Sequence, residues 1–398
     1  MSRAKEKQGS PLATKAKSTW TFQAAEISPE DIVKPVRRAF SNPTLTSSTW
    51  EPQEGWGPRK KADLETPSID WQSSIVNWCD GSAYRRTSIL GYGASSIVYA
   101  ALHRSGRKSY ALKAIRAGCS GKVKREIFML NKLRGGPNII QFHGAFIDGM
   151  SSLPIMVFDN VSITNWAAME GKLTPEDRCF YSYQLCKALE FAHSKDIIHR
   201  DVKPENILIN TKTRELHLID WGLAESYVPE GSYKLQIGTG VYRPPEVLLG
   251  NRQYDCSFDM WSFGCIMAAV LFEVNVFFCG EGNVEQLRRI VDILGGADLR
   301  KYLNKHDFSL ATGMQEVVEL SRTKRTQLGP LCQFSAYSGN LLLVDLVEKL
   351  LRYDPAERMT ASQALAHPYL NTLANSLESQ ATCSDGKWVR DIPLPAEC

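Results

Sequence analysis

His199-Arg200-Asp201-Val202-Lys203-Pro204-Glu205-Asn206 places a carboxylate, an ammonium and an amide within one short loop. Asp201 can orient a hydroxyl and accept its proton, and Lys203 can steady a moving phosphoryl group. Asn206 offers an amide oxygen of the kind that ligates Mg²⁺. A short apolar run, Ile207-Leu208-Ile209, follows, and a second, Leu216-His217-Leu218-Ile219, leads into Asp220-Trp221-Gly222. Both runs read as strands, and Asp220 supplies a second carboxylate for a metal. Alone the tripeptide says nothing; as the sequel to the loop it is informative.

Three further signals lie upstream. Gly91-Tyr92-Gly93-Ala94-Ser95-Ser96-Ile97-Val98 reads as a glycine turn between β-prone runs, where backbone N–H groups can approach phosphate oxygens. An ordinary hairpin turn has the same pattern. Tyr110-Ala111-Leu112-Lys113-Ala114-Ile115 alternates as a strand, with Ala111, Lys113 and Ile115 on one face. A lysine there is usually a surface residue whose stem covers apolar neighbours. Val123, Ile127 and Leu130 have helical spacing, with Glu126, Leu130 and Leu133 on the flank of that stripe. Glu126 can hold the Lys113 ammonium against phosphates, or it can be a solvated helix charge. Each signal is weak alone. In this order, and in these strand, helix and loop contexts, the set matches the parts needed for phosphoryl transfer.

The rest of the chain frames that reading. It has 398 residues, 43% hydrophobic, 10% aromatic and 23% charged, which is ample for a packed core and excludes collagen-like or wholly disordered classes. Net charge is +4, and the first 20 residues carry all of it, so the body is balanced and unlike a dedicated nucleic-acid binder. Ten cysteines with no C-x-x-C argue against a zinc site or disulfide framework and fit a reducing compartment, cytoplasmic and nuclear. No apolar run is long enough to span a bilayer, so no membrane partner is expected. Residues 1–66, rich in Ser, Thr, Pro, Lys and Glu, read as a disordered extension rather than a transit peptide. Thr174-Pro175-Glu176-Asp177 is a helix start, and Leu185, Ala188, Leu189 and Ala192 form the stripe behind it. Folded sequence is expected over 69–370, strand-rich to Val161 and then mainly helical, with a tail at 371–398.

From about Tyr84 to Leu370 the chain resembles a eukaryotic protein kinase domain, and within that superfamily the catalytic α subunit of casein kinase II. The resemblance rests on Asp220-Trp221-Gly222-Leu223-Ala224-Glu225, with Trp where most kinases have Phe, and on Gly91-x-Gly93-x-x-Ser96-x-Val98. Leu133-Arg134-Gly135-Gly136-Pro137-Asn138-Ile139-Ile140 and Leu351-Arg352-Tyr353-Asp354 match as well. It implies an α+β, two-lobed fold: a β-rich lobe with one main helix over about 80–161, and a larger, mainly helical lobe over about 162–370. It implies an ATP site formed by Gly91, Tyr92, Gly93, Ser96, Val98, Ala111, Lys113, Phe158, Asp159, Val161 and Leu208. Phe158 would be the gatekeeper and Asp159-Asn160-Val161 the hinge. The implied catalytic set is Asp201, Lys203, Lys113, Glu126 and Thr239, with Asn206 and Asp220 holding Mg²⁺. Glu246 and Arg358 resemble a buried ion pair under the substrate platform, Asp259 the acid that holds the catalytic loop, and Asp70-Trp71…Trp78 a segment that packs on the activation segment.

Val202-Lys203-Pro204-Glu205 and Thr239 resemble serine/threonine rather than tyrosine kinases. The resemblance also implies activity without activation-segment phosphorylation, acidic substrates and a regulatory β subunit. This chain departs from that pattern. Cys119-Ser120-Gly121-Lys122 replaces a run of four lysines, Gln236 and Gly240 replace basic residues, and Ala111 replaces a bulkier pocket residue. Arg86 stands where the family has an apolar residue that docks the β subunit. A shallow acidic preference and a doubtful β-subunit interaction follow. Two other readings share the fold: a pseudokinase scaffold, which normally lacks Lys113, Asp201 or Asp220, and a dual-specificity kinase of the splicing-factor type, which shares Tyr242-Arg243-Pro244-Pro245-Glu246. A plain nucleotide-binding module would carry G-x-x-x-x-G-K-[ST], which is absent.

Overall fold

A computed structural model describes residues 71–371 and the pair 57–58, apart from residues 72, 94, 107, 117–119, 162–163, 170, 307, 311, 321–323, 333–334 and 338. Most of the 1–66 extension and the 372–398 part of the tail lie outside the described residues.

Five antiparallel strands build the N-terminal sheet: β1 (Tyr84–Tyr92), β2 (Ser96–His103), β3 (Ser109–Ile115), β4 (Phe142–Ile147) and β5 (Pro154–Asp159), in the order β1-β2-β3-β5-β4. The alternation in β3 explains its place. Leu112 is fully buried among Ala101, Phe146, Ile155 and Val157, with Tyr110 and Ala114 beside it. Lys113 and Ala111 therefore face the other way. Helix α1 (Ser120–Lys132) packs its stripe inward: Val123, Ile127, Met129 and Leu130 are buried, and Glu126 is buried with them at 4% exposure. A charge so placed needs a partner.

The C-terminal region is mostly helical. Helix α2 (Pro175–His193) opens as the sequence predicts: Thr174 Oγ1 accepts from the Asp177 N–H (3.1 Å), Asp177 Oδ2 accepts from the Thr174 N–H, and proline sits in the first turn. Its buried face is wider than the predicted stripe and takes in Cys179, Phe180, Tyr181, Ser182 and Cys186. The predicted strand pair appears as β6 (Ile207–Asn210) and β7 (Glu215–Leu218), each within a residue of the expected span. Helix α3 (Ser257–Phe272) is buried from Phe258 to Leu271, which explains the absence of helical periodicity there. Helix α5 (Leu341–Leu350) packs on it, and helix α4 (Gly282–Leu294) packs on the Pro245–Leu248 turn. The arrangement is the two-lobed α+β kinase fold.

Arg358 donates from both terminal nitrogens to Glu246, at 2.9 Å each, and neither side chain has any solvent exposure. The same guanidinium donates to the Ser257 carbonyl (2.7 Å) and lies over the Trp261 ring. One fork thereby ties three segments together. The 71–78 segment lies beside β4 at its Trp78 end, where Trp78 bridges to Ala145; Asp70 is outside the described residues.

Candidate active site

The register of the N-terminal sheet lines up the upstream residues. Gly91 pairs with Val98, and Val98 with Lys113, so three of them form one row across β1, β2 and β3. The Gly93 N–H donates to the Ser96 carbonyl (2.9 Å), closing the turn at the tip, and Tyr92 is 71% exposed. Gly91 has open space where a Cβ would stand, so its backbone is accessible. Ala111 pairs with Phe158 and with Ala100 in the next row. Phe158 is buried against the ring of Phe142. Asp159 ends β5, Val161 follows half-buried, and Leu208 lies half-buried on β6.

Lys113 joins the two halves of the site. Its Nζ donates to Glu126 Oε1 and to Asp220 Oδ1, each at 2.7 Å. Burial pulls the lysine pKa down, but the two carboxylates outweigh it and the net shift is upward. Burial likewise pushes the Glu126 carboxyl up, with Lys113 opposing it. Burial pushes the Asp220 carboxyl up, but Lys113, with His199 and Lys203 adding to it, outweighs this and the net shift is downward. Asp220 is the exposed member, with 47% of its side chain open against 5% for Glu126. Its backbone is left-handed (φ 62°), a conformation Asp tolerates better than most residues. Trp221 behind it is fully buried, donates from Nε1 to the Leu218 carbonyl (3.3 Å) and meets the His199 ring edge-on at 4.5 Å.

Asp201 is held from three sides. Thr239 donates to Asp201 Oδ1 from Oγ1 (2.8 Å) and from its N–H (3.1 Å). Lys203 Nζ lies 2.8 Å from Asp201 Oδ2 and 2.8 Å from Thr239 Oγ1. Asn206 Nδ2 donates to the Asp201 carbonyl (2.8 Å) and to Oδ2 (3.0 Å). The loop backbone is fixed from below by Asp259 on α3, fully buried, which accepts from the N–H groups of His199 and Arg200 at 2.8 Å each. His193 meets the same carboxylate at 2.9 Å. The Asp201 N–H points at His199 Nδ1 (3.2 Å), so His199 Nε2 carries the proton and donates to the Ile219 carbonyl (3.0 Å).

The donor set fits a hard divalent ion. Asp220 offers an exposed carboxylate, and Asn206, with its nitrogen engaged by Asp201, offers its side-chain oxygen. Two protein oxygens are the count Mg²⁺ usually takes when phosphates and waters complete its octahedron.

Sequence reasoning missed the role of Glu225, the last residue of the quoted Asp220–Glu225 motif. Its Oε2 accepts from Arg200 (3.1 Å) and from Arg125 (3.3 Å). Arg200 is buried and also donates to the Leu223 carbonyl (2.7 Å) and Tyr254 hydroxyl (3.1 Å); Arg125 also reaches the Gly222 carbonyl (2.9 Å). Only the arginines' distance in sequence hid this cluster.

The family model for the protein kinase domain matches residues 84–370. That is well over half of the chain, which belongs to the protein kinase family. It is therefore a phosphotransferase acting on protein substrates, with ATP and a divalent metal.

Proposed function

We propose that this kinase is an Mg²⁺-dependent serine/threonine kinase similar to casein kinase II, active without phosphorylation of its activation segment. The observation that carries the reading is the Asp201–Lys203–Thr239 triangle. In it a threonine hydroxyl and a lysine hold the carboxylate that must meet the substrate. Lys113, held by Glu126, positions the nucleotide phosphates, and the row from Gly91 to Lys113 forms their roof. Asp201 orients the incoming hydroxyl and accepts its proton; Lys203 stabilises charge on the phosphoryl group between them. Asn206 and Asp220 hold the metal, which when bound neutralises phosphate charge. The alternative of a catalytically silent scaffold is disfavoured because Lys113, Asp201 and Asp220 are all present and mutually placed.

Activation without phosphorylation is supported by Glu225. A buried arginine in such a loop needs an anion, and here the chain supplies its own carboxylate to Arg200 and to the partly buried Arg125 of α1. Trp221, larger than Phe and hydrogen-bonded, makes the Asp220 turn harder to flip. We also propose that acidic substrates are preferred, but shallowly. Arg243 is engaged by the carbonyls of Ile237 and Gly238 and by Asn283, and Arg125 by Glu225, so neither is free to read a substrate carboxylate. Lys122, Lys124 and Lys234 remain exposed. Arg86, paired with Asp148 at 2.6 Å, gives the outer sheet a polar character that disfavours an apolar β-subunit contact. The seven described cysteines are free thiols, which suits a cytoplasmic and nuclear setting.

The test is a degenerate peptide library with ATP and Mg²⁺, using bacterially expressed protein shown by mass spectrometry to be unphosphorylated between Asp220 and Glu246. Turnover on Ser and Thr peptides, with a drop in kcat/KM of about tenfold when acids at +1 to +3 become Ala, is expected; that is about 1.4 kcal/mol. Tyrosine phosphorylation, an absolute need for an upstream kinase, or a thousandfold drop would each overturn the corresponding part.

A further inference from the structure

The ladder between β3 and β5 ends at the Tyr110–Asp159 pair. Asn160 and Val161 run past the last rung, in the stretch where an adenine would be read by backbone groups. What keeps their peptide planes in place must come from elsewhere, and the side chains supply it. Asp159 Oδ1 takes His143 Nε2 at 2.7 Å and Lys108 Nζ at 2.7 Å. Asn160 Nδ2 donates to Ser109 Oγ at 2.8 Å. The anchors thus sit on β4 (His143) and at the start of β3 (Lys108, Ser109), the strand that also carries Ala111 and Lys113. Tyr110 packs beneath them: Lys108 Nζ lies 5.5 Å from its ring centre and the His143 ring meets it edge-on at 5.2 Å. The Asp159 N–H adds a bond to the Gln141 carbonyl (3.1 Å).

We infer that Lys108, Ser109 and His143 are positioning residues for the nucleotide, fixing the Asp159–Val161 backbone relative to the strand that bears Lys113. The inference rests on the reading of 159–161 as the adenine-binding hinge. None of the three residues lies in the Lys113–Asp201–Asp220 cluster, so their removal leaves the reacting groups as they are. Pre-organisation of a binding segment lowers the ordering cost of binding, so its loss shows in affinity for ATP rather than in the chemical step. The charge state supports permanence: burial raises the Asp159 pKa, but His143 and Lys108 outweigh that and hold it at about 2, so the carboxylate is ionised throughout the neutral range. Lys108 is half-exposed and the other two partly so, which keeps the expected effect moderate.

The experiment measures KM for ATP and kcat on a peptide, together with direct ATP binding by displacement of a fluorescent nucleotide, in the full chain. His143→Ala with Lys108→Ala should raise KM and the ATP dissociation constant about five- to tenfold while kcat stays within about twofold. His143→Gln, which keeps an N–H donor toward Asp159, should restore most of the affinity. A purely structural role would instead lower kcat and the melting temperature together and leave KM unmoved. Wild-type ATP affinity with the double variant unchanged overturns the inference and leaves the kinase reading standing. A wild-type protein that does not bind ATP overturns the reading itself.

Discussion

Glu225→Ala is the perturbation that most directly probes how the site is held together. The carboxylate serves two guanidiniums, Arg200 at 3.1 Å and Arg125 at 3.3 Å, and Arg200's side chain is only 2% exposed. Removing it leaves two positive charges facing each other in a poorly solvated place. Breaking a buried pair by deleting one partner costs about 3–5 kcal/mol. Glu225 is 22% exposed, so water recovers part of this, and about 2–3 kcal/mol is the appropriate figure. Arg125 precedes Glu126 on α1, so the loss also loosens the helix that presents Glu126 to Lys113. At this size, if the disturbed state is inactive, turnover falls about 30- to 150-fold. The assay is kcat at saturating ATP and peptide, with calorimetric unfolding alongside to separate active-site misalignment from loss of folded protein. Glu225→Gln should fall between wild type and Ala, because it keeps shape and an acceptor but not charge. An exposed oxyanion such as sulfate, added at tens of millimolar, should partly restore the Ala variant. Near-wild-type turnover in a folded Ala variant would refute the claim that this carboxylate replaces an activating phosphate.

Asp220→Asn should remove a metal-binding charge with little change of shape, costing about 3 kcal/mol or more, a loss of roughly 10² or greater in kcat. Lys113→Met should do the same through the phosphates; folded variants with near-wild-type turnover would falsify the site. Arg358→Ala leaves Glu246 buried and unpaired, so urea unfolding should show a loss of about 3–5 kcal/mol, and less than about 1 kcal/mol would mean the fork is dispensable. The Asp159 pKa is depressed from 3.8 to about 2 on folding. Its contribution, about 1–2 kcal/mol after allowing for exposure, is therefore full above about pH 4 and lost as pH falls towards 2. The stability gap between wild type and Asp159→Asn should close over that window, and a gap independent of pH would contradict the assignment.

The conformations of the His199–Asn206 loop and the Asp220 turn, and the two-lobed architecture, were legible because each rests on patterns that are short-range in sequence. The capping box before α2 is four residues long, and the β3 alternation read from the sequence is six. What stayed illegible was pairing across distance that no family motif marks, unlike the Glu246–Arg358 pair, which the resemblance supplied across 112 residues. Glu225 and Arg125 are separated by 100 residues, and His143 and Asp159 by 16, with nothing in either neighbourhood to mark the partner. Helix α3 was legible only through the resemblance that placed Asp259 on a helix, and its periodicity failed for a different reason. A helix buried on all sides has no polar face, so its sequence carries no period to detect. The lysine on β3 shows the limit in the other direction. Its face was legible from alternation, but a snorkelling surface lysine has the same alternation, and only the buried Glu126 opposite separates the two.

The same long-range pairing decides what the cleft can recognise. A cation reads a substrate carboxylate only if it is not already neutralised, because the incoming acid must otherwise displace an internal acceptor at equal or greater cost. Arg200 and Arg125 share the single Glu225 carboxylate, Lys113 is held by Glu126 and Asp220, and Lys203 by Asp201. Arg243 has no carboxylate bonded to it among the described residues, yet each of its three nitrogens already donates a bond, and burial pulls its pKa down, although Asp201 opposes this. The cations left for substrate are exposed lysines, each worth about 0–1 kcal/mol and screened by salt. On the proposed reading, this internal pairing would hold the site in one arrangement without an added phosphate, and would leave it little free charge with which to select an acidic partner. A chain that is active without activation and only shallowly acid-directed is the combination this distribution of charge supports.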